Sequence, residues 1–178
     1  GTGSVLTVRS PEVAITSLRM DGVGNQTTGN VAEMGDGGWD ERIRLVYGQG
    51  DAAIRLADAR RSLVADVEID TPANGVVALN SSRTAVRNVT VRGPTDQQGS
   101  MGALAMYSRI VVEESTFSGG KDGVYTHYSD GLVIRDNEMT DVRFGVHQMY
   151  TSDALVANNT IRGALVGTVV MTRPAGNA

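Results

Sequence analysis

His127 and His147 are the only histidines in the chain, and methionines recur around them. His147 and Met149 share the run RFGVHQMYTS, while His127 lies in GVYTHYS, Met106 in GALAMYS and Met171 in GTVVMTR. Imidazole nitrogen with thioether sulfur is a donor set that suits copper, and thioether favours Cu(I) in particular. Cysteine is absent, which excludes disulfides, thiolate metal sites and thiol catalysis. Zinc fits less well, since methionine is a poor ligand for it. Calcium or magnesium would require clustered carboxylates, which these runs do not supply. His147, Met149, His127, Met106 and Met171 are therefore the candidate ligands, provided that the fold brings them together.

What would bring them together is a repeat. Five segments align: LVADVEIDTPANGVVALNSS from Leu63, AVRNVTVRGPTDQQGSMGALAMYS from Ala85, VVEESTFSGGKDGVYTHYS from Val111, VIRDNEMTDVRFGVHQMYTS from Val133 and LVANNTIRGALVGTVVMTR from Leu155. Each has a short strand closing on an apolar residue (Ile69, Val91, Phe117, Met139, Ile161), then a turn, a glycine and a second strand. The closing residues are 22, 26, 22 and 22 positions apart, the long interval carrying extra turn residues in GPTDQQGS. A period near 22 built from strands and Gly/Asn turns indicates a solenoid with one coil per repeat. Leucine-rich repeats have a similar length, but their leucine pattern and helical half are missing. The expected fold is all-β: a right-handed, single-stranded parallel β-helix, forming one domain over residues 1–178. A less regular coil precedes the repeats, from Ala14–Met20 to Ala52–Leu56. A Gly-rich insertion at 21–41, containing the only tryptophan, Trp39, interrupts it. It reads as a mobile polar loop or as a lid.

Stacked coils place equivalent strand residues one above another, roughly 4.8 Å apart. Counted from the glycine of each second strand, places one and three hold mostly small or aliphatic residues, as a narrow interior requires. Places two and four hold Val77/Leu79, Leu104/Met106, Tyr125/His127, His147/Met149 and Val169/Met171. By strand alternation these face the opposite way, which predicts a solvent-facing wall carrying imidazole and thioether groups. The competing reading makes Leu79, Met106, Met149 and Met171 an internal apolar stack, methionine being more often packing than ligand. Tyr107, Tyr128 and Tyr150 follow at place five as an aromatic stack. Asn137 and Asn159 share a turn position where their amides can bond up the stack.

The runs GALAMYS, GVYTHYS and GVHQMYTS, with LVANNTIRG and the opening GTGSVLTVRSPEVAITSLRMDG, resemble repeats of the NosD family. The resemblance implies a periplasmic or otherwise extracytoplasmic copper-binding accessory protein. Such a protein would take copper from a chaperone and pass it toward nitrous oxide reductase assembly, working with the subunits of a membrane ABC transporter. Carried over by position, His147 and Met149 match best, followed by His127, Met106 and Met171. His127 departs from the pattern, standing where neighbouring repeats carry methionine.

The composition bounds the alternatives. With 178 residues, a formal charge of −4 and mixed charges throughout, a nucleic-acid binder, which is normally basic, is not expected. No apolar run approaches the ~20 residues needed to span a bilayer. The opening residues lack the basic start and apolar segment of a signal peptide, so a mature or truncated chain is expected. A polysaccharide lyase, hydrolase or epimerase is the first rival function, since β-helices commonly present sugar-cleaving sites on a sheet face. Against it, Asp122, Asp130, Asp136, Asp141 and Asp153 are scattered mostly at turns, where aspartate is favoured for local hydrogen bonds. Aromatic content is only 4%, too low for a long glycan groove. A structural or adhesive β-helix is the second rival. A copper carrier needs no catalytic residue and none is assigned.

Overall fold

The computed structural model describes residues 3–22, 24, 38–96 and 100–172. Each coil contributes one strand to a first sheet and one strand, or two short ones, to a second. The first sheet has seven strands, in spatial order β1 (Ser4–Val8), β3 (Ala52–Ala57), β5 (Asn74–Leu79), β7 (Met101–Met106), β10 (Asp122–His127), β13 (Phe144–Met149) and β16 (Val166–Met171). The second contains β2 (Ala14–Asp21), β4 (Leu63–Asp70) and β6 (Ser82–Arg92). It continues through β8 (Arg109–Glu113) with β9 (Thr116–Ser118), β11 (Asp130–Arg135) with β12 (Glu138–Thr140), and β14 (Ser152–Ala157) with β15 (Thr160–Arg162). All pairings are parallel and join neighbouring coils. This is the expected parallel β-helix, and the closing residues Ile69, Val91, Phe117, Met139 and Ile161 stand in one register column.

Every coil bends at residues in the left-handed region. One bend runs through Asp58, Asn80, Tyr107, Tyr128 and Tyr150, the other through Ser17, Asp66, Asn88, Glu114, Asp136 and Asn158. Asn and Asp tolerate that conformation; tyrosine does so at a cost of about 1 kcal/mol or more per residue. Here the three tyrosines recover contact with each other: Tyr107 and Tyr128 stack at 5.6 Å and Tyr128 meets Tyr150 at 5.1 Å. Along the second bend, the Asn137 amide donates to Asn159 Oδ1 at 2.9 Å, while Asn137 Oδ1 accepts the Ser115 N–H at 3.0 Å. The amide ladder read from the sequence is present.

The interior is aliphatic, with Val76, Ala78, Ala103, Ala105, Val124 and Val146 from the first sheet meeting Val67, Val89, Val112 and Ile134 from the second. Where the chain re-enters the first sheet at β5, β7, β10 and β13, a glycine is compulsory. A Cβ on Gly123 would lie 2.7 Å from Met139 Sδ and 2.8 Å from the Gly145 carbonyl, and Gly145 is equally confined by Ile161 and Gly167. The closing apolar residue of one coil thus fills the space that a side chain on the preceding coil's glycine would need.

A second apolar cluster lies on the outer face of the first sheet. The interruption after β2 continues to Asp51, beyond the residue-41 boundary suggested by composition. Its last part is a short helix, α1 (Trp39–Ile43), running into a π-helical turn, Arg44–Gly48. Ile43, Val46 and Tyr47 from this cap pack on Val77, Leu104, Met106, Tyr125 and Met149. The helical cap was not legible in the sequence. Most of the insertion preceding it, 25–37, lies outside the described residues. No helix among the described residues is long and apolar enough to cross a membrane.

Candidate functional site

The register places the candidate ligands as strand alternation requires. Leu79, Met106, His127, Met149 and Met171 form one column of paired residues, and Val77, Leu104, Tyr125, His147 and Val169 the next. Both columns face away from the solenoid interior. The expectation of a solvent-facing wall is corrected: Met106, Tyr125 and His127 are 0% exposed, and His147 and Met149 5%. The cap covers Met106, Tyr125 and Met149, because an outward face bearing this much apolar surface is stabilised by burial under another element. Met171, on the last strand, is 41% exposed and stands apart from that cluster.

The donors converge at the Tyr125 hydroxyl. It lies 3.3 Å from His127 Nδ1 and 3.4 Å from Met149 Sδ. Aromatic rings enclose His127, with Tyr128 at 4.7 Å, Tyr150 at 5.6 Å and Tyr125 at 6.2 Å. Met106 occupies the next rung, and the cap's backbone comes down directly on it: a Cβ on Gly48 would be 3.0 Å from its sulfur. Tyr47 closes the far side, its ring edge-on to Tyr125 at 5.4 Å and its hydroxyl accepting from Lys121 Nζ at 2.7 Å. Burial pushes the Tyr125 hydroxyl well above the ordinary phenol range, so it stays a neutral donor.

His147 has separate surroundings. Its Nδ1 is 2.8 Å from Asp122 Oδ2, and Arg143 forks onto the same carboxylate at 2.8 and 3.0 Å. A carboxylate can only accept, so Nδ1 donates and the neutral ring's lone pair lies on Nε2. That nitrogen is buried with no hydrogen-bond partner, and the ring packs nearly perpendicular to Tyr125 and Phe144, with centroids 4.9 and 5.1 Å apart. A histidine oriented by a carboxylate through one nitrogen, with the other left open, is the arrangement found behind metal-ligating imidazoles and behind general bases.

Asp122 is an exception among aspartates read as scattered mostly at turns. It starts β10, where the corner breaks strict alternation, and is fully buried. The available signal was its register column, in which Met101, Phe144 and Val166 are apolar and Asp122 alone is charged. Arg143, Tyr125, Tyr47 and Lys121 were not recognised as parts of the site. Their roles depend on contacts between segments up to 74 residues apart. Among the described residues no three histidine or carboxylate side chains converge as a metal site, so any metal held here depends on thioether sulfur.

Comparison with known proteins agrees with the architecture. The family model described as a right-handed β-helix region matches residues 46–177. No curated protein matches the chain, and no solved structure does.

Proposed function

The chain belongs to the right-handed β-helix family, and on that premise we propose that it is a Cu(I)-binding protein that carries the ion beneath its helical cap. The observation that carries this reading is the convergence of His127 Nδ1 and Met149 Sδ within 3.4 Å of one point, the Tyr125 hydroxyl. Met106 is in register on the adjoining strand. Thioether and imidazole in a dry apolar enclosure match a soft monovalent ion, which needs few ligands and loses little hydration on entry. An ion seated there displaces the Tyr125 hydroxyl from its two contacts and takes their place. His147 stands beside the site on the adjacent column, held by Asp122. A pocket of about 130 Å³ bordered by Arg44, Gly48, Leu79, Tyr107 and Met106 offers a way in at the edge of the cap.

The likeness of the repeats to the NosD family supports the finer reading. On that reading the protein acts outside the cytoplasmic membrane, receives copper from a chaperone and supports nitrous oxide reductase assembly alongside an ABC transporter. Met171 is exposed at the end of the same column and serves there as an outer donor for transfer.

Anaerobic titration with Cu(I) against a chromophoric chelator tests the proposal. One ion per chain should be withheld from the chelator, with affinity falling at least about tenfold in His127→Ala and Met149→Ala. Failure of the unaltered protein to compete would reject copper carriage. The buried Asp122–His147 pair favours a second reading, a carbohydrate-active enzyme with His147 as general base. Release of unsaturated products from polyuronates, abolished by His147→Gln, would favour that reading instead.

A further inference from the structure

At the corner between the two sheets, next to the edge of the cap, with Asn80 and Tyr107 lining both this corner and the pocket beside Gly48, successive coils do not match in length. Arg60 pairs with Ser82, and Ser82 with Arg109, but the next matched pair is Thr84 with Ile110. Arg83 has no counterpart in the following coil and bulges outward in a left-handed conformation, as Arg61 does opposite it in the preceding coil. A bulge re-aims the side chain it carries, and the missing residue in the following coil leaves a cavity of about 450 Å³. Arg60, Arg61, Arg83 and Arg109 line it, against the single carboxylate of Asp130. In a chain of formal charge −4, this is a local reversal of sign.

The four guanidinium groups are not equivalent. Arg61 is tied to Glu12 by a bond of 2.8 Å and Arg109 to Asp130 by one of 2.7 Å. Arg109 also lies across Gly131, where a Cβ would meet its Nε at 2.6 Å. Arg60 and Arg83 form no ion pair among the described residues. Two unpaired cations beside two anchored ones repel each other unless an anion lies between them. Tyr107, 43% exposed, adds a flat wall.

We infer that this cavity is a binding site for a small oligoanion, a molecule carrying at least two carboxylate, sulfate or phosphate groups. Guanidinium recognises such groups through paired N–H donors. The coil repeat spaces the arginine-bearing rungs by roughly 4.8 Å, so Arg60 and Arg109 stand two rungs, about 10 Å, apart. A ligand with one anionic group therefore satisfies only part of the cavity. No guanidinium is shared with the copper site, so either proposal can fail without the other.

Calorimetric titration of the full chain at low salt with inorganic pyrophosphate, tricarballylate and digalacturonate tests the inference and separates phosphate from carboxylate ligands. At least one should bind one to one, with affinity reduced about tenfold or more in Arg60→Gln and in Arg83→Gln. Arg162→Gln, a change to an exposed arginine paired with Glu138 elsewhere, should leave that affinity unaltered. Thermal melting verifies that the variants are folded. The inference is overturned if none of the three saturates at millimolar concentration, if the Arg60/Arg83 double variant binds like the parent, or if Arg162→Gln weakens binding equally.

Discussion

Glu113 shows how one buried carboxylate joins three coils. It is 2% exposed and receives Arg87 Nε at 2.7 Å from the coil before and Arg135 Nε at 2.9 Å from the coil after. The bond from Arg87 is the leading cause that holds its carboxyl below the usual range, against the opposing effect of burial, with Arg135 adding to the lowering. A folded-state value depressed below the unfolded one stabilises the protein above the unfolded pKa, and that contribution disappears as pH falls through the folded value. Urea midpoints should therefore drop below about pH 4.5, and Glu113→Gln should be less stable at neutral pH yet lose less on acidification. Equal acid slopes in parent and variant would remove Glu113 from the account. Asp122 likewise holds two partners, Arg143 and His147, but both come from the following coil and border the candidate copper site.

At the scale of elements, the cap and the re-entrant glycines decide what the site is. The cap is short, and packing of Ile43, Val46 and Tyr47 holds it in place, since ten helical residues alone are unstable in water. Ile43→Ala should open it: hydrogen exchange over residues 43–48 should accelerate while β4 and β6 retain their protection. Cu(I) should then load faster. The glycines act on the solenoid itself. Gly102→Val would drive a branched side chain into Phe117 and the Gly123 carbonyl, and should cost about 3 kcal/mol or more in chemical denaturation. These two elements differ in how far the sequence revealed them. The glycine column recurs with the coil period and was visible in the alignment, whereas the cap contains no repeat and too few residues to show helical periodicity.

For the whole molecule, stability accumulates coil by coil through neighbour contacts, and ladders such as Ser115–Asn137–Asn159 tie the coils in sequence. Asn137 bonds the Ser115 N–H, the Val112 carbonyl and the Asn159 amide oxygen. Asn137→Ala should cost about 1–3 kcal/mol, since buried backbone groups lose their partners; a melting temperature equal to the parent's would argue against the ladder's importance. The parallel β-helix, its register and the column joining Met106, His127, Met149 and Met171 were determined by the sequence alone. A period near 22 and strand alternation are local rules repeated until they leave one arrangement. Only the tertiary structure decided that Met106, His127 and Met149 are covered while Met171 stays exposed, that Asp122 orients His147, and that four arginines share a cavity. Those facts arise where the repeat is broken, by an insertion, a corner and a bulge, and there long-range packing, not periodicity, selects the neighbours.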